Sequence, residues 1–304
     1  MKNSILGAIY LSLAASIWGG MYVISKYVLG FVPPFTLLWL RYCIAFAFLF
    51  GIWQFTRHKQ ARPDRLNWKT VRRLAWIGFI GYFVSVGTQF IGTKLADAHT
   101  GALLTSASPA FVILFARLFL HEPLTWQKVS ALLLSTGGVL IVVGWGNHQE
   151  NSFLGELFLL AAAITWALLT VSVRQAAQYH SPLTTTTFAL GFALILTTPL
   201  MLWEILNTTI SWSSSPIVLW GGIVYLGLIA TAAAFFLWNK GMEFIEAGIG
   251  SLFFFFQPIV GAFLGWLLLG EKLRWNFFFG GSFILLGVLL ATVDPRTLLR
   301  RRIE

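Results

Sequence analysis

The stretch DAHTGALLTSASPAFVILFARLFLHEPLTWQKVSALLLSTGGVL at residues 97–140 returns as EAGIGSLFFFFQPIVGAFLGWLLLGEKLRWNFFFGGSFILLGVL at residues 246–289, 149 residues further on and without a gap. Twelve of the 44 aligned positions are identical. The decisive ones are not leucines but Pro109/Pro258, Glu122/Glu271, Trp126/Trp275 and Gly138/Gly287. Chance similarity between apolar runs matches Leu with Leu; it rarely brings Pro, Glu and Trp into register. The chain is an internal duplication.

The repeat lies in a membrane. Residues of the AVILMFWYC set make up 57% of the 304 and charged residues 11%, a bias that no soluble single-core fold of this length requires. Apolar runs of about 20 residues, the length that crosses the hydrocarbon core, fall at 4–29, 35–56, 72–95, 98–120, 126–146, 153–178, 182–205, 216–244, 247–270 and 275–294. Several connections are a few residues long, so almost nothing is left for a soluble domain. The first run follows Lys2 and contains Leu13-Ala14-Ala15-Ser16, as a secretory signal would. Yet it continues through Trp18 and Val23 to Leu29, too long for a signal core, and is expected to remain as a helix. The expected fold class is an all-α polytopic membrane protein with ten transmembrane helices.

A net charge of +10 would suit nucleic acid, but its distribution points elsewhere. Seven of the 21 basic residues lie between the second and third runs (Arg57, Lys59, Arg62, Arg65, Lys69, Arg72, Arg73), and four follow the last (Arg296, Arg300, Arg301, Arg302). Residues 147–152 and 207–215 contain no Lys or Arg. This is the positive-inside pattern, which puts both termini in the cytoplasm; Lys272 and Arg274 are exceptions beside Glu271. The single cysteine, Cys43, excludes an internal disulfide and reads as a packed thiol. His58, His99, His121, His148 and His180 lack ligand spacing, so neither a metal nor a cofactor is expected.

Five runs make one repeat unit, an odd number, so the second copy must enter the membrane from the opposite side. Residues 1–147 are expected to form the first five-helix repeat, 148–296 an inverted second one, and 297–304 a basic cytoplasmic tail. Glu122 then lies at the cytoplasmic face and Glu271 at the outer face. Inverted repeats point to transport, because exchanging the conformations of the halves turns an inward-open state into an outward-open one. An offset of 148 also sets Ala14-Ala15 on Ala162-Ala163, Trp18 on Trp166 and Lys26 on Arg174. Both tryptophans lie roughly thirteen residues into their runs, near the bilayer centre at about 1.5 Å per residue. Tryptophan prefers the interface, so this midplane pair is a candidate for a substrate site.

With Trp18-Gly19 in the first run, Leu40-Arg41 after Pro33-Pro34 in the second, and runs ending Leu120-His121-Glu122 and Leu269-Gly270-Glu271, the chain resembles the drug/metabolite transporter superfamily, specifically transporters of the EamA type, over essentially its whole length. Gly270 to Leu273 followed by Gly287-Val288 matches that pattern closely. The first half departs from it, with His121 for the usual glycine and Pro123 after the glutamate. The resemblance implies a central cavity lined by helices 1, 3, 4, 6, 8 and 9, with 5 and 10 more peripheral. It is uninformative about substrate.

Pro109 and Pro258 lie near the middle of otherwise helical runs, where a missing N–H frees the carbonyls of Thr105 and Phe254 and kinks the helix. They are candidate hinges, with a static kink as the alternative. Tyr22, Tyr82, Gln89, Trp238, Asn239 and Gln257 are the other polar or amphipathic side chains of the cavity helices, and the Gln257 amide would be costly facing lipid. For each, a helix-bridging hydrogen bond competes with substrate contact. Arg41, the only basic residue well inside a run, reads as an interfacial anchor, an internal pair or a substrate contact. Glu122 and Glu271 are expected to bind loop backbone or a neighbouring cation. The stripe Gly78, Gly81, Ser85, Thr88 and Gly92 reads as a close-packing surface. Where the first copy has Thr105 to Ser108, the second has Phe254 to Gln257, so the scaffold is symmetric and the cavity need not be.

None of the eleven acidic residues lies near the middle of a run. A transporter exchanging protons for cationic drugs commonly shares a buried carboxylate between them; here none is placed to serve. A cavity of rings and amides suits a neutral or zwitterionic solute. The expectation is an alternating-access exporter or facilitator of amino acids or related metabolites in the cell inner membrane. Its partners are a small-molecule substrate and the lipid bilayer, without nucleic acid, and it acts as a monomer. A multidrug exporter is the alternative, and a channel stands further off because no filter-like ring appears. A membrane enzyme would need paired intramembrane Asp residues, an Asp-rich diphosphate site or a His-Glu-x-x-His helix, and none occurs.

Overall fold

A computed structural model of the chain describes residues 2–57, 67–95, 104–143, 153–208, 216–269 and 275–292, and no strand occurs among them. The N-terminal set comprises α1 (Lys2–Leu29), α2 (Pro34–Arg57), α3 (Trp68–Leu95), α4 (Ser108–Phe119) and α5 (Trp126–Val143). The C-terminal set comprises α6 (Phe153–Ala176), α7 (Pro182–Asn207), α8 (Pro216–Val224, Tyr225–Ala233 and Ala234–Phe244 end to end), α9 (Ala247–Ser251, Leu252–Phe255 and Phe256–Leu269) and α10 (Trp275–Thr292). Six of these rods, α1, α2, α3, α6, α7 and α8, are long and apolar enough to cross a membrane; the others are shorter. Large apolar side chains such as Ile195, Leu206 and Ile217 stand exposed on the outside, as lipid contact requires. The Cys43 thiol is half-buried. The Gly270 to Leu273 motif, Glu271 and the basic tail lie outside the described residues.

The packing keeps its form when each helix is replaced by the one five places on. α1 packs on α8 and α9, as α6 packs on α3 and α4; α2 lies along α7, and α5 along α10. The paired helices are antiparallel. Glu204, near the end of α7, accepts from the backbone amides of Phe35 (3.1 Å) and Thr36 (2.7 Å) at the start of α2 and from the Thr36 hydroxyl (2.9 Å). Gln127, at the start of α5, donates to the Leu290 carbonyl at the end of α10 (2.5 Å). The α5–α10 crossing explains a glycine pair kept in both copies. A Cβ on Gly138 would lie 2.6 Å from the Gly280 carbonyl oxygen, and one on Gly287 2.8 Å from that of Ala131 and against the Ser135 side chain, so the close approach of the two helices leaves no room for a side chain at either glycine.

Aligned cations close equivalent helix ends. The Lys26 ammonium donates to the Thr93 carbonyl in the last turn of α3 (2.9 Å), and the Arg174 guanidinium to those of Met242 and Glu243 in the last turn of α8 (2.7 and 2.8 Å). Both satisfy carbonyls that an α-helix leaves open and oppose its negative end. On α3, Gly81 and Gly92 lie against Leu169 and Leu159 of α6, and the Ser85 hydroxyl donates to the Ala162 carbonyl (2.9 Å). Gly81, Ser85 and Gly92 thus pack toward α6, while Gly78 lies against Ala189 and Phe192 of α7.

Two irregularities were invisible in the sequence pattern. α3 from Gly78 to Ser85 and α8 from Tyr225 to Ala233 are wound as π-helix. At the end of each, the register returns to α by skipping one carbonyl. The Val86 amide bonds to Gly81 and Phe83 but not to Tyr82, four residues back; the Ala234 amide bonds to Ile229 and Thr231 but not to Ala230. Tyr82 and Ala230 are 148 residues apart, the offset that aligns Trp18 with Trp166.

The first copy departs from the expected mid-helix proline, whereas in the second the helical run is unbroken from Ala247 through Pro258. The chain turns at Ser106-Ala107 and α4 begins afresh at Ser108, with Pro109 in its first turn. α9 passes through a 3-10 turn at Leu252–Phe255, and Pro258 stands in the first turn of the piece that follows. At Pro109 the proline gives up only an N–H that would have no intrahelical partner, whereas Pro258, with helical turns directly before it, removes a donor from within the run. The Thr105 carbonyl accepts the Ser108 hydroxyl (2.7 Å), and the Phe256 amide turns to the Phe253 and Phe254 carbonyls. Beyond α4, His121 has φ 54°, a left-handed conformation that glycine, the residue at the aligned position 270, adopts without strain.

Candidate functional site: a cavity between the two helix sets

Where α1 and α6 cross the opposite set, five aromatic rings form one cluster. The Trp18 and Trp166 rings meet edge to face, 5.1 Å apart and at 90°. Phe235, Trp238 and Phe254 surround them, with ring centres 5.3 to 5.8 Å from Trp18. Such contacts each contribute on the order of 1 kcal/mol beyond burial. Trp18 is further fixed by its indole N–H, which donates to the Ala230 carbonyl at 2.9 Å, the carbonyl that the π-segment leaves open.

A cavity adjoins this cluster. From the N-terminal set it is lined by Trp18 and Met21 of α1, Arg41 of α2, Ser85, Val86 and Gln89 of α3, and Thr105 and Ser108 at the entry to α4. The C-terminal set supplies Ala162 and Trp166 of α6, Phe235 of α8, and Phe254 and Gln257 of α9. Helices 1, 3, 4, 6, 8 and 9 therefore all contribute, as the resemblance implied, and α2 joins them through Arg41. The centre of a water molecule has ≈ 20 Å³ to move in, about enough to hold one water, so no organic solute fits without movement of the walls.

Of the eight candidate residues, Trp18, Gln89, Trp166 and Gln257 line this cavity. Tyr82, Trp238 and Asn239 are buried one layer behind it. Tyr82 stacks on Phe235 (4.5 Å, 8° between planes), and the Asn239 amide donates to the Tyr82 hydroxyl (3.1 Å) and to Thr186 Oγ1 (2.7 Å). These three hold the cavity rings in position. The side chain of Tyr22 lies outside the described residues. Counterpart pairs meet at the cavity: Trp18 with Trp166, Thr105 with Phe254, and Ser108 with Gln257. Two of the three differ in chemistry, so the walls are asymmetric.

Arg41 is the residue that sequence position could not resolve. Its side chain is fully buried, excluding the interfacial anchor. Nε donates to Thr231 Oγ1 (2.6 Å), and Nη2 reaches the Ala230 carbonyl (3.4 Å) and Met21 Sδ (3.7 Å). The guanidinium carbon lies 5.2 Å from the centre of the Phe90 ring. Among the described residues Arg41 has no carboxylate partner, and its Nη1 has no hydrogen-bond partner at all. A signal did exist in the sequence, because Arg41 aligns with Ala189 at the offset of 148 and only one half carries the charge.

Away from the cavity, Glu122 ties the end of α4 to the start of α9. Its carboxylate accepts from the amides of Ala247 (2.7 Å) and Gly248 (3.0 Å), and buried Lys128 bridges Glu122 (3.4 Å) and Glu246 (2.7 Å). The glutamate thus binds both backbone and cation, capping the positive end of α9.

An all-helical, multi-pass membrane bundle with an aromatic and polar cavity between two alike sets of helices defines a membrane protein of transporter type. The chain belongs to the EamA-like transporter family, whose model matches residues 5–144 and again 153–293. It is similar to the uncharacterized transporter YyaM of Bacillus subtilis, 26% identical over 278 residues that cover 90% of this chain and 89% of YyaM. An uncharacterized transporter of Archaeoglobus fulgidus is 24% identical over 290 residues, covering 93% of this chain and 97% of its own. A protein solved by crystallography, 23% identical, shares the fold with a TM-score of 0.75 over 98% of both chains.

Proposed function

We propose that the chain moves small organic solutes across the cell inner membrane by alternating access, as an exporter or facilitator of amino acids or related metabolites. The observation that carries this reading is the meeting of Trp18 and Trp166, one from each half, at the cavity between the halves. Ten spans arranged as two inverted five-helix repeats, 1–147 and 148–296, with both termini cytoplasmic, are the architecture this requires. The antiparallel α2/α7 and α5/α10 pairs and the double match to the family model support it. Admitting a solute to so narrow a cavity requires the two helix sets to move apart, as alternating access does. The interruptions beside Pro109 and Pro258 border the cavity, through Thr105 and Ser108 on one side and Phe254 and Gln257 on the other, so the prolines are the proposed hinges. Rings and amides would hold a neutral or zwitterionic solute by stacking, cation–π contact and hydrogen bonds.

The test is counterflow. Purified protein in liposomes loaded with unlabelled amino acids should accumulate labelled amino acid transiently above its outside concentration, with saturation. Uptake that rises linearly without counterflow would indicate a channel. Counterflow of cationic dyes, with amino acids inert, would favour the multidrug exporter.

A further inference from the structure

Two buried donors in the cavity lack acceptors, for a traceable reason. The skipped carbonyls of Tyr82 and Ala230 are equivalent, as are Trp18 and Trp166. Trp18 donates to Ala230, and the same geometry would pair Trp166 with Tyr82. That carbonyl is instead taken by the hydroxyl of Tyr42, beside Arg41 on α2. The Trp166 indole N–H is left without a partner among the described residues, as is Arg41 Nη1. Both side chains line the same cavity, and among the described residues no acidic side chain does. A buried cation and N–H without acceptors are costly, and a charge at this depth is functional by default.

We propose that Arg41 and Trp166 form an oxyanion subsite that receives the carboxylate of the transported solute. This rests on the reading of the cavity as the solute site. The planar guanidinium is already held by Thr231 through Nε and by Ala230 through Nη2, which leaves Nη1 oriented at little further cost in entropy. A carboxylate supplies the charge and acceptors that both donors lack. The ammonium of an amino acid is left to the ring faces of the aromatic cluster, the cation-binding groups that the described cavity wall offers.

Tryptophan fluorescence and the thermal midpoint of the purified full-length protein test this in one titration. The probes are amino acids, the same molecules without the amino group, their carboxamides, their decarboxylated amines, and sodium phosphate. Acids with or without the amino group should bind, and amides and amines should bind at least about tenfold more weakly. Arg41→Gln should weaken the acids by about 10- to 100-fold and bring acid and amide level, while Trp166→Phe, which keeps a ring, should cost about fivefold. The wild-type series and Trp166→Phe decide the matter even if Arg41→Gln does not fold. Amides binding as well as acids, or acids unaffected by Arg41→Gln, overturns the subsite and leaves the transport reading intact. Binding of des-amino acids or phosphate without amino acids, lost in Arg41→Gln, supports the subsite and removes the amino-acid reading. Binding of amines alone, or of no probe, overturns both.

Discussion

Trp18→Ala is expected to lower the unfolding free energy in detergent by about 3–5 kcal/mol and to abolish solute binding. Trp18 is 2% exposed and touches four aromatic rings, so truncation opens a large void at the meeting of the two helix sets. Lipid is as apolar as this core, so close contact rather than escape from water holds the rings together, and the lost contacts are not recovered elsewhere. The indole also satisfies the Ala230 carbonyl. Trp18→Phe should therefore cost about 1 kcal/mol more than Trp166→Phe, whose indole N–H has no such bond to lose. Thermal or denaturant unfolding of the four variants Trp18→Ala, Trp18→Phe, Trp166→Ala and Trp166→Phe measures this directly. Equal cost for the two phenylalanine variants would show that the bond to Ala230 contributes nothing.

Glu122→Ala should cost about 2–4 kcal/mol, the range for breaking a mostly buried charged network that also caps a helix. The carboxylate holds the first two amides of α9 and one side of Lys128, whose side chain is 5% exposed. Its loss leaves those amides without their acceptor and the ammonium with Glu246 alone. Glu122→Gln retains an acceptor and should recover about half of the loss. Unfolding curves for both variants provide the check, and a change below about 0.5 kcal/mol for Glu122→Ala, the size of an ordinary surface substitution, would mean that the contact is incidental.

The helices were legible because apolar runs have a length scale. Outside α4, the described helix limits fall within about four residues of the runs. The repeat was legible because Pro, Glu, Trp and Gly are too specific to align by chance. What escaped was orientation about each helix axis. Distance along a run gave the height of Trp238 and Asn239 but not the side they face, so both were grouped with cavity-lining residues although they stand behind them. Arg41 was ambiguous for the same reason. The π-segments escaped because nothing in Gly78–Ser85 or Tyr225–Ala233 announces a changed register. Yet they decide which carbonyls are open, and through them why Trp18 is bonded and Trp166 is not.

Alternating access between two inverted halves is the central claim, and the accessibility of a single cavity position tests it most directly. In a Cys43→Ser background, which removes the only native thiol, Ser108→Cys puts a reporter in the cavity wall. Membrane-impermeant thiol reagents are then applied to right-side-out and inside-out vesicles. The account predicts labelling from both sides, at rates that solute changes together. Labelling from one side only, whatever solute is present, would contradict it.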